Sequence, residues 1–313
     1  MTSVQRKKAA SGFRGLAGDL RKAWPLYLMV LPGVIYLIAF RYIPMLGSVV
    51  AFQDYSVFKG ILGSPFVGLK YFEKLFSSYD FSRIFGNTLI LGFIKTILLF
   101  PVPVILALMI NEIKRTAIKK GVQTAIYIPH FLSWVIVGGL VFDILGVGGL
   151  FNNVRAFLGM ETILPMQKES WFRPIYAASS IWKESGWGTV VYLAALSSMD
   201  PSIYESAAID GANRFQRFIY ITLPLLVPTI LTLFLINIGG FLDLGFEQVY
   251  NLQTPMTYEV SDIFDTYVYR VGILQAQYSF TTAVGLFQSV IGLILVVTFN
   301  TLANKYTDDG GLW

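Results

Sequence analysis

The sequence predicts an all-α protein that spans a membrane about six times. Three observations carry that expectation. Of 313 residues, 55% are hydrophobic and 14% charged, where a soluble domain carries about 25% charged residues. The deficit lies in long uncharged runs, and mean hydropathy is +0.60. Six of those runs reach the length of about 20 mostly apolar residues that a bilayer-spanning helix needs.

The first run, 26–49, follows a basic lead. It is far longer than the 7–15 or so apolar residues of a signal peptide, so it reads as a retained helix. Ahead of it, Phe13, Leu16, Ala17 and Leu20 fall at i, i+3, i+4 and i+7, flanked by Arg14, Arg21 and Lys22. Residues 1–24 are therefore either a basic tail or a tail with a short helix on the inner membrane surface. The run 85–111 carries Pro101 and Pro103, which predict a kink. Runs 125–146, 174–197, 223–243 and 281–303 complete a transmembrane domain over 25–313. The run 174–197 is the weakest, because Lys183 and Glu184 interrupt it. Gly138-Gly139, Gly239-Gly240, Gly285 and Gly292 are small residues suited to close helix packing. The connections at about 50–84, 147–173 and 244–280 read as solvated. The last holds Glu247, Glu259, Asp262 and Asp265 against Arg270, and a soluble partner would find it accessible.

An even number of crossings puts both ends on one side, and basic residues choose the side. The terminus, the loops after the second and fourth runs, and the tail together hold 13: Arg6, Lys7, Lys8, Arg14, Arg21, Lys22, Lys114, Arg115, Lys119, Lys120, Arg214, Arg217 and Lys305. The opposite side holds 8 over longer loops. Both termini are therefore expected in the cytoplasm. The same bias accounts for the net charge of +5, without nucleic acid as a partner.

There is no cysteine, which excludes disulfides, thiol nucleophiles and Cys-ligated metals. The single histidine, His130, cannot form a His cluster for a catalytic metal, and near the inner end of the third run it reads as structural. No Gly-x-x-x-x-Gly-Lys sequence is present, so the chain is not itself a P-loop ATPase.

The most informative stretch is the loop between the fourth and fifth runs, 200–224. Asp200 is a good N-cap, with Pro201 at the first helical position. A short helix through Glu205 would end at Gly211, which tolerates the left-handed conformation. Asn213 can cap a second short helix, whose Phe215, Phe218, Ile219 and Thr222 form an apolar stripe. Two short helices at an angle would make a compact cytoplasmic ridge.

This stretch resembles the EAA loop of binding-protein-dependent ABC importer permeases. Glu205-Ser206-Ala207 opens it, with Ser in place of the middle Ala. Gly211 follows after three residues, and Ile221-Thr222-Leu223-Pro224 closes it after nine more. The likeness extends along nearly the whole chain to the polysaccharide- and oligosaccharide-type permeases labelled LplB-like, related to the maltose-transporter permeases. It runs through Tyr27-Leu28-Met29-Val30-Leu31-Pro32-Gly33, Tyr127-Ile128-Pro129-His130-Phe131, Phe246-Glu247-Gln248-Val249-Tyr250, Asp265-Thr266-Tyr267-Val268-Tyr269-Arg270 and the segment from Tyr278 to Leu286.

The resemblance implies a permease of the bacterial cytoplasmic membrane that binds no cofactor itself. Its implied partners are a second permease, an extracytoplasmic binding protein that delivers a glycan, and two cytoplasmic ATPase subunits that bind ATP and Mg. It also implies that Glu205 meets a basic group on the ATPase and that Gly211 permits the bend. Ala207, Ala208, Asp210 and Arg214 would belong to the same contact.

Charged groups at membrane depth are costly and face cavities or partners. Lys95, Asp143, Lys183, Glu184 and Asp243 are candidates, with Asn87 and Asn237 as polar companions. Lys183 and Glu184 are adjacent, so on a helix they point about 100° apart and do not form a simple facing pair. Trp182, Trp187, Tyr192 and Phe241 are candidate sugar-stacking rings, although most such rings form interfacial belts. The candidate substrate pathway is thus Lys95, Trp182, Lys183, Glu184, Trp187, Asn237 and Asp243. A secondary transporter of a small solute is the alternative. That class more often shows internal repeats, and six helices are few for it. A membrane hydrolase would need a catalytic cluster that the sequence lacks.

Overall fold

The computed structural model describes the backbone of residues 13–306 and the side chains of residues 23–301. The described residues are helical apart from short connections and one isolated bridge, Gln53 to Phe66. They fall in two compact units that divide between Gly68 and Leu69.

The first unit is built on α1 (Phe13–Leu37), which continues through a π-helical turn, Ile38–Tyr42, into short helical turns that end at Phe52. Residues 13–22 are thus helical, joined to the first crossing without a break. The apolar stripe expected on them lies outside the described side chains. From Trp24 to Leu46 the large apolar side chains are exposed, since this unit alone offers them no core to pack against.

The second unit holds the other crossings. The second crossing is α2 (Tyr79–Phe93), a π-helical turn, Ile94–Leu98, and α3 (Pro101–Asn111). Its break falls at Leu99 and Phe100, just before Pro101, where a missing N–H and the proline ring interrupt the helix ladder. The third crossing is not the single helix 125–146. It begins earlier, as α4 (Thr116–Tyr127), turns through Ile128–Phe131, and restarts as α5 (Trp134–Leu145). Pro129 cannot continue the ladder, Leu132 is extended, and Ser133 caps the new helix by accepting from the Ile136 N–H at 3.3 Å.

The fourth crossing is α6 (Glu169–Ser197), 29 residues long. Five helical stretches among the described residues are long and apolar enough to cross a membrane. α6 is the sixth by length, made less apolar by Arg173, Lys183 and Glu184. A short helix, α7 (Pro201–Ile209), precedes the fifth crossing, Arg214–Gly239, whose regular part is α8 (Leu223–Gly239). The sixth is α10 (Tyr278–Tyr306), which follows α9 (Phe246–Leu252) and four short helical turns.

The segment 244–280, expected to be a solvated connector, is instead packed into the bundle. Leu244, Val249, Leu252 and Ile263 form one core with Phe172, Ile175 and Tyr176 of α6. Phe264, Tyr267 and Val271 form another with Ile84 of α2 and Phe280 and Val284 of α10. A third core joins Val104 and Ala107 of α3 to Tyr192, Leu196 and Leu226.

Close packing depends on a glycine that the sequence did not single out. A Cβ on Gly186 of α6 would lie 1.9 Å from the Ile126 carbonyl oxygen of α4. Of the glycines expected to pack closely, Gly138 does, with a Cβ there 2.9 Å from the Asn251 carbonyl oxygen, whereas Gly139, Gly239 and Gly285 have open space around them within the chain. Gly186→Val should therefore force α4 from α6 and cost about 3 kcal/mol. Thermal denaturation in detergent checks this, and an unshifted melting curve would contradict it.

Candidate functional site

Two regions concentrate the expected residues. The first is the segment between α6 and the fifth crossing. The Asp200 carboxylate accepts from the Ser202 N–H at 2.9 Å, and Pro201 opens α7. That bond holds the Asp200 carboxyl below the usual carboxylate range, so the cap persists at neutral pH and is lost only in acid. Gly211 ends the helix at φ +84°, a conformation strained for residues with a Cβ. Its neighbour closes the turn, Ala212 N–H donating to the Ala207 carbonyl at 2.9 Å. Asn213 and Gln216 then cap each other's backbone N–H groups at 2.8 and 2.9 Å.

The second helix differs from expectation. It is no short separate piece, since Arg214–Gly239 is one helical stretch that becomes the fifth crossing. A π-helical turn over Phe218–Thr222 inserts an extra residue and rotates the faces. Thr222 is buried, Phe218 and Ile219 are half-buried, and Phe215 is 72% exposed, so the stripe faces inward only in part. The Tyr204 hydroxyl ties α7 to this helix, 3.1 Å from the Thr222 hydroxyl.

Glu205, Ala208, Asp210, Gly211 and Arg214 are exposed and Ala207 is half-buried. Beside them Ile209 is 87% and Tyr220 76% exposed. With Phe215 they make an apolar rim that sequence reasoning missed, because nothing in a hydrophobic pattern distinguishes an outward apolar residue from an inward one.

The second region is a cavity of about 580 Å³ in the second unit. Lys95, Glu184, Trp187 and Asn237 line it together with Trp134, Ser180, Tyr192 and Gln248. Four of the seven expected pathway residues are thus brought together. Lys183 is buried behind the lining, and Trp182 is 49% exposed elsewhere on α6. Asp243 instead faces a second cavity of about 450 Å³, with Phe241, Asp265 and Gln288. Its main-chain oxygen accepts from Lys95 Nζ at 2.9 Å. Asp143 is exposed on α5.

Lys183 and Glu184 do form a contact, contrary to the expectation from their helical spacing. Lys183 Nζ lies 3.1 Å from Glu184 Oε1, because both flexible side chains reach toward His130. His130 itself sits at the break of the third crossing, with Nδ1 2.9 Å from Glu184 Oε2. Gln248 was also missed as a site residue. Its amide nitrogen reaches the Tyr176 carbonyl and the Ser179 and Ser180 hydroxyls at 2.7–3.2 Å, which fixes it at the cavity wall.

A family model described as binding-protein-dependent transport system inner membrane component matches residues 75–307. The chain belongs to that family. The permease is 50% identical over 286 residues to the polygalacturonan/rhamnogalacturonan transport system permease protein YteP of Bacillus subtilis (strain 168), covering 91% of this chain and 89% of the relative. It is 45% identical to protein LplB of the same organism, over 99% of both chains. Among solved structures it matches a chain of a bacterial ABC transporter involved in the import of the acidic polysaccharide alginate. That match has a TM-score of 0.87 and 42% identity, and covers 94% of this chain and 99% of the other. The alginate transporter has also been solved in complex with an alginate pentasaccharide-bound periplasmic protein, with a TM-score of 0.86. The resemblance inferred from the EAA-like loop and the all-α permease fold are thereby established.

Proposed function

We propose that the permease imports an oligosaccharide released from an acidic polysaccharide, received from an extracytoplasmic binding protein and driven by ATP hydrolysis on partner subunits. The observation that carries this reading is mechanical. The exposed α7 ridge is pinned to a helix that runs on through the fifth crossing and lines the cavity with Leu233 and Asn237. A push on α7 is therefore delivered to the cavity wall by one rigid element. In this reading a second permease completes the pathway, and two cytoplasmic ATPase subunits hold ATP and Mg. The apolar rim of Ile209, Phe215 and Tyr220 seats in them, and Glu205 meets a basic group there. Both termini are cytoplasmic, on the side of α7.

The acidic character of the glycan is favoured by Lys95 in the cavity, where the Glu184 charge is already matched by Lys183. It also agrees with the relatives named for polygalacturonan and for alginate. The test is assembly and stimulation. The permease, its neighbouring permease and the ATPase should co-purify. In vesicles, binding protein loaded with oligogalacturonate should raise ATP hydrolysis several-fold over unloaded binding protein. Purification without an ATPase subunit would contradict the coupling, and indifference to the loaded binding protein would contradict the import function.

A further inference from the structure

The break in the third crossing rests against a charged corner of α6, and that corner backs one wall of the cavity. His130 Nδ1 lies 2.9 Å from Glu184 Oε2, and because an ionised carboxylate only accepts, the contact calls for an N–H on that ring nitrogen. Lys183 Nζ donates to Glu184 Oε1 at 3.1 Å and to the His130 carbonyl at 2.9 Å. The same ammonium lies 5.2 Å from the centre of the Trp134 ring. One helical turn beyond Lys183, Trp187 stacks on the His130 imidazole, with ring centres 4.9 Å apart and planes at 3°. Phe131 meets that indole edge-on at 5.9 Å.

Trp134, Glu184 and Trp187 line the cavity, while His130 and Lys183 stand behind them. Both Glu184 oxygens are engaged and its charge is matched. One indole face is covered by imidazole, and Trp187 is still 47% exposed. Such a wall is fixed before any ligand arrives, which lowers the cost of ordering it on binding.

We propose that His130 is a positioning residue for glycan recognition, holding Trp187 as a flat stacking wall for a pyranose ring with the Glu184 carboxylate beside it for the sugar hydroxyls. The proposal rests on the reading of the chain as an oligosaccharide permease. A pyranose has an apolar C–H face that suits an indole and equatorial hydroxyls that donate to a carboxylate. A uronate would add a negative group, for which Lys95 lines the same cavity. The charged groups around His130 are Glu184 and Lys183 from α6, with Lys95 contributed to the cavity by the π-helical turn of the second crossing.

The experiment uses the complete transporter in lipid nanodiscs without binding protein. Oligogalacturonate and oligoalginate are titrated as probes. Their binding is followed by calorimetry and by Trp187 emission, taken as the difference between the unaltered transporter and Trp187→Phe. Trp187→Ala should weaken binding about tenfold and His130→Gln about three- to tenfold. Because the imidazole stacks on the indole, ligand-free Trp187 emission should differ between the unaltered transporter and His130→Gln, a signature that a merely structural histidine elsewhere in the fold would not give. If His130→Gln does not assemble, His130→Phe, which keeps a ring against Trp187 but cannot bond to Glu184, replaces it and should weaken binding less than Trp187→Ala does. Unchanged affinity in these variants, or Trp187 emission unchanged in His130→Gln, would overturn the assignment of His130. Failure of the unaltered, binding-protein-supplied transporter to take up either glycan would instead overturn the function on which the site rests.

Discussion

Glu205→Lys is expected to abolish glycan uptake and stimulated ATP hydrolysis while leaving the permease in the membrane at its normal level. Glu205 is exposed on α7, whose ends are set by Asp200 and Gly211. An exposed substitution away from caps and packing changes stability by about 0.5 kcal/mol or less, so the chain itself should fold. At a docking surface the effect is different. Placing like charges across an interface costs several kcal/mol, which corresponds to a loss of about a hundredfold or more in association. Membrane immunoblotting, co-purification of the ATPase and uptake measurements separate the two effects. Normal uptake together with normal stimulated hydrolysis would show that Glu205 does not make the coupling contact.

Asp262→Ala is expected to be the most destabilising single change in the segment 244–280. Asp262 is fully buried. Its carboxylate accepts from both terminal nitrogens of Arg270, Oδ1 from Nη1 at 3.1 Å and Oδ2 from Nη2, and from the Thr266 hydroxyl at 2.8 Å. Arg83 Nη2 of α2 stands 4.0 Å away. The surrounding main chain is fixed by Asn87, whose amide donates to the Glu259 and Asp262 carbonyls at 2.9 and 3.2 Å. Removing one partner of such a pair leaves a partly buried cation uncompensated, at a cost of about 3–5 kcal/mol. The melting temperature of the purified permease should fall by roughly 10 °C. Asp262→Asn, which keeps the shape and one acceptor, should lose less. A melting curve unchanged in Asp262→Ala would mean that the network does not hold this segment.

Much of the segment between α6 and the fifth crossing was legible because its signals are local. Asp200, Pro201, Gly211 and Asn213 act through their own backbone neighbours, and each occupies the capping or turn position that its chemistry predicts. The π-helical turn at Phe218–Thr222 was not legible, since its residues look like any apolar helix. Nor was the burial of the segment after α8. Its acidic residues read as solvated until the structure set Arg83 and Arg270 against Asp262. The same applies to Lys183 and Glu184. Helical spacing places their Cα–Cβ bonds apart, but it says nothing of a shared partner such as His130, which arrives from another helix.

The sequence by itself determined that the chain crosses a membrane, about how often, and where the capped turn ahead of the fifth crossing lies. Those properties follow from run length, backbone capping and spacing, all of which act within a few residues. Only the tertiary structure decided which polar groups meet across helices. Residues 54 positions apart at His130 and Glu184, or 8 apart at Asp262 and Arg270, become neighbours through helix breaks and packing, whose geometry depends on the whole bundle.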